Sequence, residues 1–369
     1  MKIALVIGNR PHFIKAAPFL KALQAYPECQ PFIVHTGQHY DHRMSGAFLE
    51  GFHFPPVDIN LEVGSGPIGV QTGLMLSRLD PAYRRLAPDW IVSMGDTNTT
   101  LAAALAAYQL HIPSAHIEAG MRENIWRPEE INKKMADHCA DCLFAPIPRA
   151  VDNLRKEGIS DARIFLTGDI TLDTFMTNRE AAIVHMDMVR ARFDSLPRDF
   201  DLLTLHRAET VDHPDIVSEI ISALQQWPIP LVFPVHPRTE KQLAAFGFDD
   251  VLNRATHIFR LPALPYLDFL SLILHARRVV TDSSGVLKEA VYAHKPCIVL
   301  DDTTEYRELF TCGAAVMAGR TRAGILATQQ RISADPIPAV ENAVGLFGDG
   351  TAAARMVRIL MEKRGSVGV

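Results

Sequence analysis

The chain reads as an α/β protein: two Rossmann-like, doubly wound domains facing one another across a cleft. Three observations predict this. Short apolar segments alternate with amphipathic helical ones almost from end to end, the pattern of parallel sheets covered by helices. The strand segments are near-continuous apolar runs, IALVI at 3–7 and WIVSM at 90–94, as strands buried on both faces require. The pattern also starts twice, and 369 residues suffice for two cores at about 100–200 residues per domain.

In the first half, strands are predicted over 2–8, 31–35, 90–94, 114–118, 143–145 and 164–167, with helices between them such as 14–26 and 99–109. The pattern restarts at 202–205 and continues through 231–234, 258–261, 278–281 and 297–300. Between the two sets lies Leu166-Thr-Gly-Asp-Ile-Thr-Leu172, followed by a charged helix from 172 to about 193. A hinge is therefore expected near 167–171. It divides an N-terminal domain, 1–168, from a C-terminal domain, 169–350, and a last helix within 351–369 crosses back onto the first.

Charge and composition narrow the function. Lys plus Arg at 37 against Asp plus Glu at 42 gives a net charge of −5 and no global basic field for nucleic acid. Gly and Pro, at 22 and 24, are ordinary for a globular chain, so fibrous and low-complexity readings fail. No window reaches the roughly 18 uninterrupted apolar residues of a membrane span, and the apolar run at 3–7 is shorter than a signal core. Five cysteines, an odd number, do not form a disulfide framework, so a reduced, cytoplasmic protein is expected. Cys139-Ala-Asp-Cys142 lacks the second pair that a zinc site needs and reads as two packed thiols. His35, His39 and His42 have helix-face spacing but fall on a strand end and a loop, so no metal is expected.

Ligands of doubly wound sheets bind beyond the strand C-termini, and the chemistry-bearing residues sit there. After the first strand comes Gly8-Asn-Arg-Pro-His-Phe-Ile-Lys15: a closing glycine, a proline suited to a first helical turn, and the cations Arg10 and Lys15 beside an anion-accepting helix start. The strand 90–94 runs into Gly95-Asp96, the next ends at Glu118, and Arg127-Pro-Glu-Glu130 opens a helix with two first-turn acids. Each carboxylate alone could serve a helix end. Asp96, Glu118 and Glu129 along one strand-end edge point instead to acid/base chemistry. In the second half, one strand ends at His206-Arg207 and the next at His236. Thr281-Asp-Ser-Ser-Gly-Val-Leu-Lys-Glu289 passes from a strand through small residues into a helix, a turn that lets backbone N–H groups approach a diphosphate. Glu289 is placed to accept ribose hydroxyls, while Tyr266 and Phe269 either wall a base pocket or fill the core.

These segments together resemble the non-hydrolysing UDP-N-acetylglucosamine 2-epimerases, a family of GT-B architecture. The resemblance is carried over nearly the whole chain by GNRPHFIKAAP, HTGQHYD, GDTNTTLAAALAA, HIEAGMR, RPEEINKKMADH, LTGDITLD, TLHRAET, PVHP, TDSSGVLKEA and DDTTEYRE, in the family's order. It implies that Asp96, Glu118 and Glu129 are the catalytic carboxylates and His206 the histidine near the departing diphosphate. Arg10, Lys15 and His236 join the substrate-binding set with the phosphate loop Ser283, Ser284 and Gly285, the ribose acceptor Glu289, and Phe269 at the uracil pocket. Gln38, His39 and Arg207 are the places to look for an allosteric substrate site. Departures are His12, where the family commonly has glutamate after Arg-Pro, Ser284 before Gly285 in place of Gly-Gly, and Asp301, where many members carry arginine.

The reaction so implied serves cell-surface polysaccharide synthesis. UDP is eliminated from C1 as the C2 proton is removed, the 2-acetamidoglycal turns over, and UDP adds back. Glu118 or Asp96 is the expected base, with Glu129 tuning or donating. No hydride moves, so no cofactor is expected. The implied partners are a UDP-sugar and a second copy of the chain, with neither nucleic acid nor membrane. The rival readings are a hydrolysing 2-epimerase, a GT-B glycosyltransferase and a silent nucleotide-sugar-binding protein.

Overall fold

The computed structural model describes residues 1–37, 54–123, 125–334, 343 and 345–364. They form two compact units, one of residues 1–176 with 346–369 and one of residues 177–345. Each is an open parallel sheet with helical crossovers, the α/β class that the apolar runs predict.

The first sheet contains β1 (Lys2–Ile7), β2 (Gln30–His35), β3 (Ile59–Asn60), β4 (Trp90–Met94), β5 (Ser114–Ile117), β6 (Cys142–Ala145) and β7 (Ile164–Leu166). Their spatial order is β3-β2-β1-β4-β5-β6-β7. The second contains β8 (Asp201–Thr204), β9 (Leu231–Pro234), β10 (Ile258–Leu261), β11 (Val279–Thr281), β12 (Cys297–Val299) and β13 (Ala315–Met317), in the order β10-β9-β8-β11-β12-β13. Both sheets grow outward from a first strand paired with the second on one side and the fourth on the other. Each therefore reverses direction between those strands, Ile3 facing Trp90 in one and Leu202 facing Val279 in the other. Such a switch point leaves a crevice at the strand C-termini that no crossover covers.

The strands that the sequence does not predict are β3 and β13. Both lie at sheet edges and span only two and three residues; β3 is too short for an apolar run, and β13 lies in the short run Ala314-Ala-Val-Met-Ala318. The central strands are fully buried, as with Ile3 to Ile7 and Trp90 to Met94. Ala102, Ala103, Ala104, Ala106 and Ala107 are all buried in the helix Asn98–Gln109, where small side chains let a helix lie close to its sheet. Around the second sheet, Leu203, Phe233, Ile220, Trp227 and Ile298 share one core, each large side chain contributing about 1.5–3 kcal/mol on burial.

The first helix spans Arg10–Leu23, beginning before the predicted residue 14 because Asn9 caps it: the Asn9 side chain accepts from the His12 N–H, with Pro11 in the first turn. The segment 167–173 is tied to the chain's end. Asp169 N–H donates to Phe347 O at 2.8 Å, and the Asp173 carboxylate accepts from the N–H groups of Ala352 and Ala353, opening the helix Ala352–Glu362. The compact first unit extends past this segment to residue 176, inside the helix Ile170–Arg192. Among the described residues, no helix is long and apolar enough to cross a membrane, and no cluster of three His, Cys, Asp or Glu is placed to hold a metal. All five cysteines are free, and burial pushes the Cys142 thiol up to about 12.

Candidate active site

At the switch point of the first sheet, β1 runs into Gly8 and β4 into Gly95. A Cβ on Gly8 would collide with the hydroxyls of Thr99 and Thr36, so glycine lets the β1 loop close onto the helix that follows β4. Gly95 has φ +74°, a left-handed turn. The point its Cβ would occupy lies 3.2 Å from Lys15 Nζ, 3.7 Å from His12 Nε2 and 3.8 Å from Glu118 Oε2. Three polar side chains, two from the first turns of the helix Arg10–Leu23 and one from the tip of β5, thus converge on one spot.

Lys15 donates to Glu118 in an ion pair whose side chains are only 14% and 12% exposed. Glu118 itself has φ +68°, a conformation that costs a non-glycine residue on the order of 1 kcal/mol. At this left-handed position just past β5 the carboxylate meets Lys15. His12 is buried, and its Nδ1 accepts from the Gly8 N–H at 3.1 Å. Burial, reinforced by the Lys15 charge, lowers its pKa to about 3, so the imidazole is neutral. Asp96 is half-buried on the loop between Gly95 and Thr97, and Thr97 rather than Asp96 is the N-cap residue of the next helix. Arg10 is half-buried at the start of its helix, whereas Glu129 is exposed in the first turn of the helix Pro128–Cys139. The neighbouring Glu130 is the buried one, accepting from the Glu123 N–H and pairing with Lys133 at 2.5 Å.

Behind this corner lies a network that motif reading does not single out. His116 of β5 bonds Gly95 O through Nε2 at 2.8 Å and Asp137 through Nδ1 at 2.6 Å. Asp137 also accepts from the Gly120 N–H and from Arg122 at 2.6 Å, and Arg122 continues to Glu157. The charges of His116 and Arg122 hold the Asp137 carboxyl below its usual range despite complete burial. Asn132 donates to Asp96 O at 3.1 Å and to Asn98, which donates to Gln71. A polar residue such as His116 between Ala115 and Ile117 in a strand buried on both faces must find partners. That is the signal in the sequence for this network.

The second sheet's switch point carries the other set. β8 ends at His206 and Arg207, whose backbone N–H groups donate to Asp282 at 2.9–3.1 Å. Asp282 is wholly buried after β11, and burial raises its carboxyl to about 6 against the pull of those donors. His206 remains 39% exposed, with Nδ1 at 3.6 Å from Asp282 and its ring 5.5 Å from that of His236. His236 caps the helix Pro237–Ala245 by accepting from the Arg238 N–H. Ser283 caps the helix Ser284–Tyr292, accepting from Val286 N–H at 3.4 Å. Ser284 is half-buried, Gly285 exposed and Glu289 buried. A Cβ on Gly285 would meet nothing closer than Ser283 Oγ at 3.8 Å, so no internal contact requires glycine there. Phe269 is half-buried and Tyr266 buried in the helix Tyr266–His275. Arg207 pairs with the buried Asp301 at 2.8 Å, so this buried carboxylate meets a cation. Gln38, His39 and His42 lie outside the described residues.

The sequence model of UDP-N-acetylglucosamine 2-epimerases matches residues 21–361. The chain belongs to this family. It is 38% identical over 367 residues to UDP-N-acetylglucosamine 2-epimerase of Methanocaldococcus jannaschii, covering 98% of this chain and 99% of that one. It is 38% identical over 366 residues to UDP-2,3-diacetamido-2,3-dideoxy-D-glucuronate 2-epimerase of Pseudomonas aeruginosa, with the same coverage. The crystal structure of the Methanocaldococcus jannaschii epimerase in complex with UDP-GlcNAc and UDP superposes with a TM-score of 0.91 at 37% identity, over 98% of this chain and 100% of that chain. Membership accounts for the two-sheet fold.

Proposed function

We propose that this epimerase-family chain interconverts a UDP-2-acetamido sugar and its C2 epimer without net hydrolysis. The observation that carries the reading is the Lys15–Glu118 pair at Gly95: a shielded carboxylate, paired with a cation, beside the loop that bears Asp96. C2 of such a sugar has no adjacent carbonyl to stabilise a carbanion, so its proton must leave as another bond breaks. Glu118 or Asp96 takes the C2 proton while the C1–O bond to UDP breaks, and C1 and C2 become doubly bonded. The glycal turns over, a carboxyl returns a proton to the opposite face of C2, and a diphosphate oxygen reforms the bond at C1. Glu129, in a wetter environment, tunes or donates.

Negative charge grows on the departing diphosphate, and the second unit is equipped for it. Its half-exposed His206, the capped turn Ser283-Ser284-Gly285 and its helix N-terminus present donors where charge develops. Glu289 and Phe269 are assigned to ribose and uracil, and Arg10, Lys15 and His236 to the substrate's remaining contacts. On this reading the domain limits 1–168 and 169–350 separate proton chemistry from nucleotide binding, with the hinge near 167–171. Arg207 remains our candidate for a second substrate site, with Gln38 and His39. The chain is proposed to be a cytoplasmic homodimer, a reading that the free thiols support for the compartment and light scattering tests for the dimer.

Turnover in D₂O decides the reaction. Recovered UDP-sugar should carry deuterium at C2, read by proton NMR, with the UDP-sugar total conserved. Turnover without C2 label overturns the proposal, and steady accumulation of UDP with free sugar identifies a hydrolase instead.

A further inference from the structure

We propose that His12 is a specificity-determining hydrogen-bond donor, whose Nε2–H receives an uncharged acceptor oxygen of the sugar, a hydroxyl or an N-acyl carbonyl, at the Gly95 corner. The inference rests on the epimerase reading above and adds a residue to it.

The tautomer follows from geometry. Nδ1 accepts the Gly8 N–H at 3.1 Å, so in a neutral ring the proton is on Nε2. His12 is 1% exposed, and its Nε2 has no hydrogen-bond partner among the described residues. A buried donor left unmade costs about 1–3 kcal/mol, and buried polar groups are nearly always satisfied. Nε2 lies 3.7 Å from the point above Gly95 around which Lys15 and Glu118 also gather, the place we assign to its partner.

The surroundings select the partner's chemistry. Lys15 and Glu118 neutralise one another, and the imidazole adds no charge. These groups therefore exert no net pull on a phosphate or carboxylate, whereas a neutral donor suits a hydroxyl or carbonyl oxygen. Glycine at this turn puts no side-chain carbon at that point.

Two variants separate this role from a merely structural one. Glutamine places an amide N–H near the position of Nε2, while asparagine places a carbonyl near that of Nδ1. His12→Gln should keep kcat/KM for UDP-N-acetylglucosamine, and calorimetric affinity for it, within about threefold of wild type. His12→Asn should keep the Gly8 bond and the melting temperature but lose about tenfold or more in both quantities. Affinity for UDP alone should stay put in both. The proposal is overturned if His12→Asn matches wild type, if His12→Gln loses as much as His12→Asn, or if affinity for UDP falls in parallel. A wild-type protein that binds UDP-N-acetylglucosamine without turning it over counts against the epimerase reading alone, and the affinities still decide His12.

Discussion

The two switch-point corners share a topology and a position, after the first and fourth strands of their sheets, yet they distribute polar capacity in opposite ways. In the second unit, Asp282 is filled by backbone donors from His206 and Arg207, and Ser283 caps its helix. In the first, Glu118 is strained, Lys15 is its partner, and His12 keeps a donor without one among the described residues. One corner has a completed frame that shapes a loop. The other holds reserve in side chains. Saturated backbone geometry suits the recognition of a constant group, whereas unspent side-chain capacity suits a group whose bonds change.

The largest expected effect breaks the reserve. Glu118→Gln keeps the size of the side chain but removes both the base and the charge facing Lys15. We expect kcat to fall on the order of 10²–10⁴-fold, with calorimetric affinity for UDP unchanged because the diphosphate is assigned to the other corner. An unaltered kcat would remove Glu118 from the base role and leave Asp96.

Next in size is the support behind that reserve. Asp137→Asn leaves Arg122 and His116 buried without their shared carboxylate. Removing one member of a buried ionic set costs about 3–5 kcal/mol, read as a drop in urea midpoint. A loss under about 1 kcal/mol would mean that the Gly95 corner stands without its ionic frame.

How far this contrast is legible in the sequence depends on range. Strand identity is local, carried by runs such as IALVI and WIVSM, and the chemistry-bearing residues could be located because they follow those runs directly. The two-residue edge strand β3 leaves no such pattern, and the run at β13 is mostly small alanine, which strand and helix share. The His116–Asp137–Arg122 set escapes because its members belong to a strand, a helix and a loop whose proximity only the sheet order creates. At RPEE, first-turn position does not distinguish an exposed Glu129 from a buried Glu130, since both serve the helix dipole equally. His12 stands out as an unusual residue, but its tautomer depends on the distance to Gly8, which spacing cannot supply.

The smallest expected effect, and the sharpest test of the comparison, is in pH. Burial lifts the Asp282 carboxyl to about 6, above the roughly 3.9 of an unfolded chain. Between those values the unfolded chain releases the proton first. The group's stabilising contribution is then complete below about pH 4 and is lost as pH rises through 6, on the order of 3 kcal/mol. His12 runs the other way. Its folded value, lowered to about 3, lies below the unfolded 6.5, so its contribution is complete above that pH and fades as pH falls. Denaturation of wild type against Asp282→Asn and against His12→Asn, from pH 4 to 7, should give stability differences of opposite slope. The stability of wild type minus that of Asp282→Asn falls with rising pH, whereas wild type minus His12→Asn rises from a deficit at pH 4 to near zero at pH 7. Slopes of the same sign would mean that the two corners treat buried charge alike, and the division between a completed frame and a held reserve would fail.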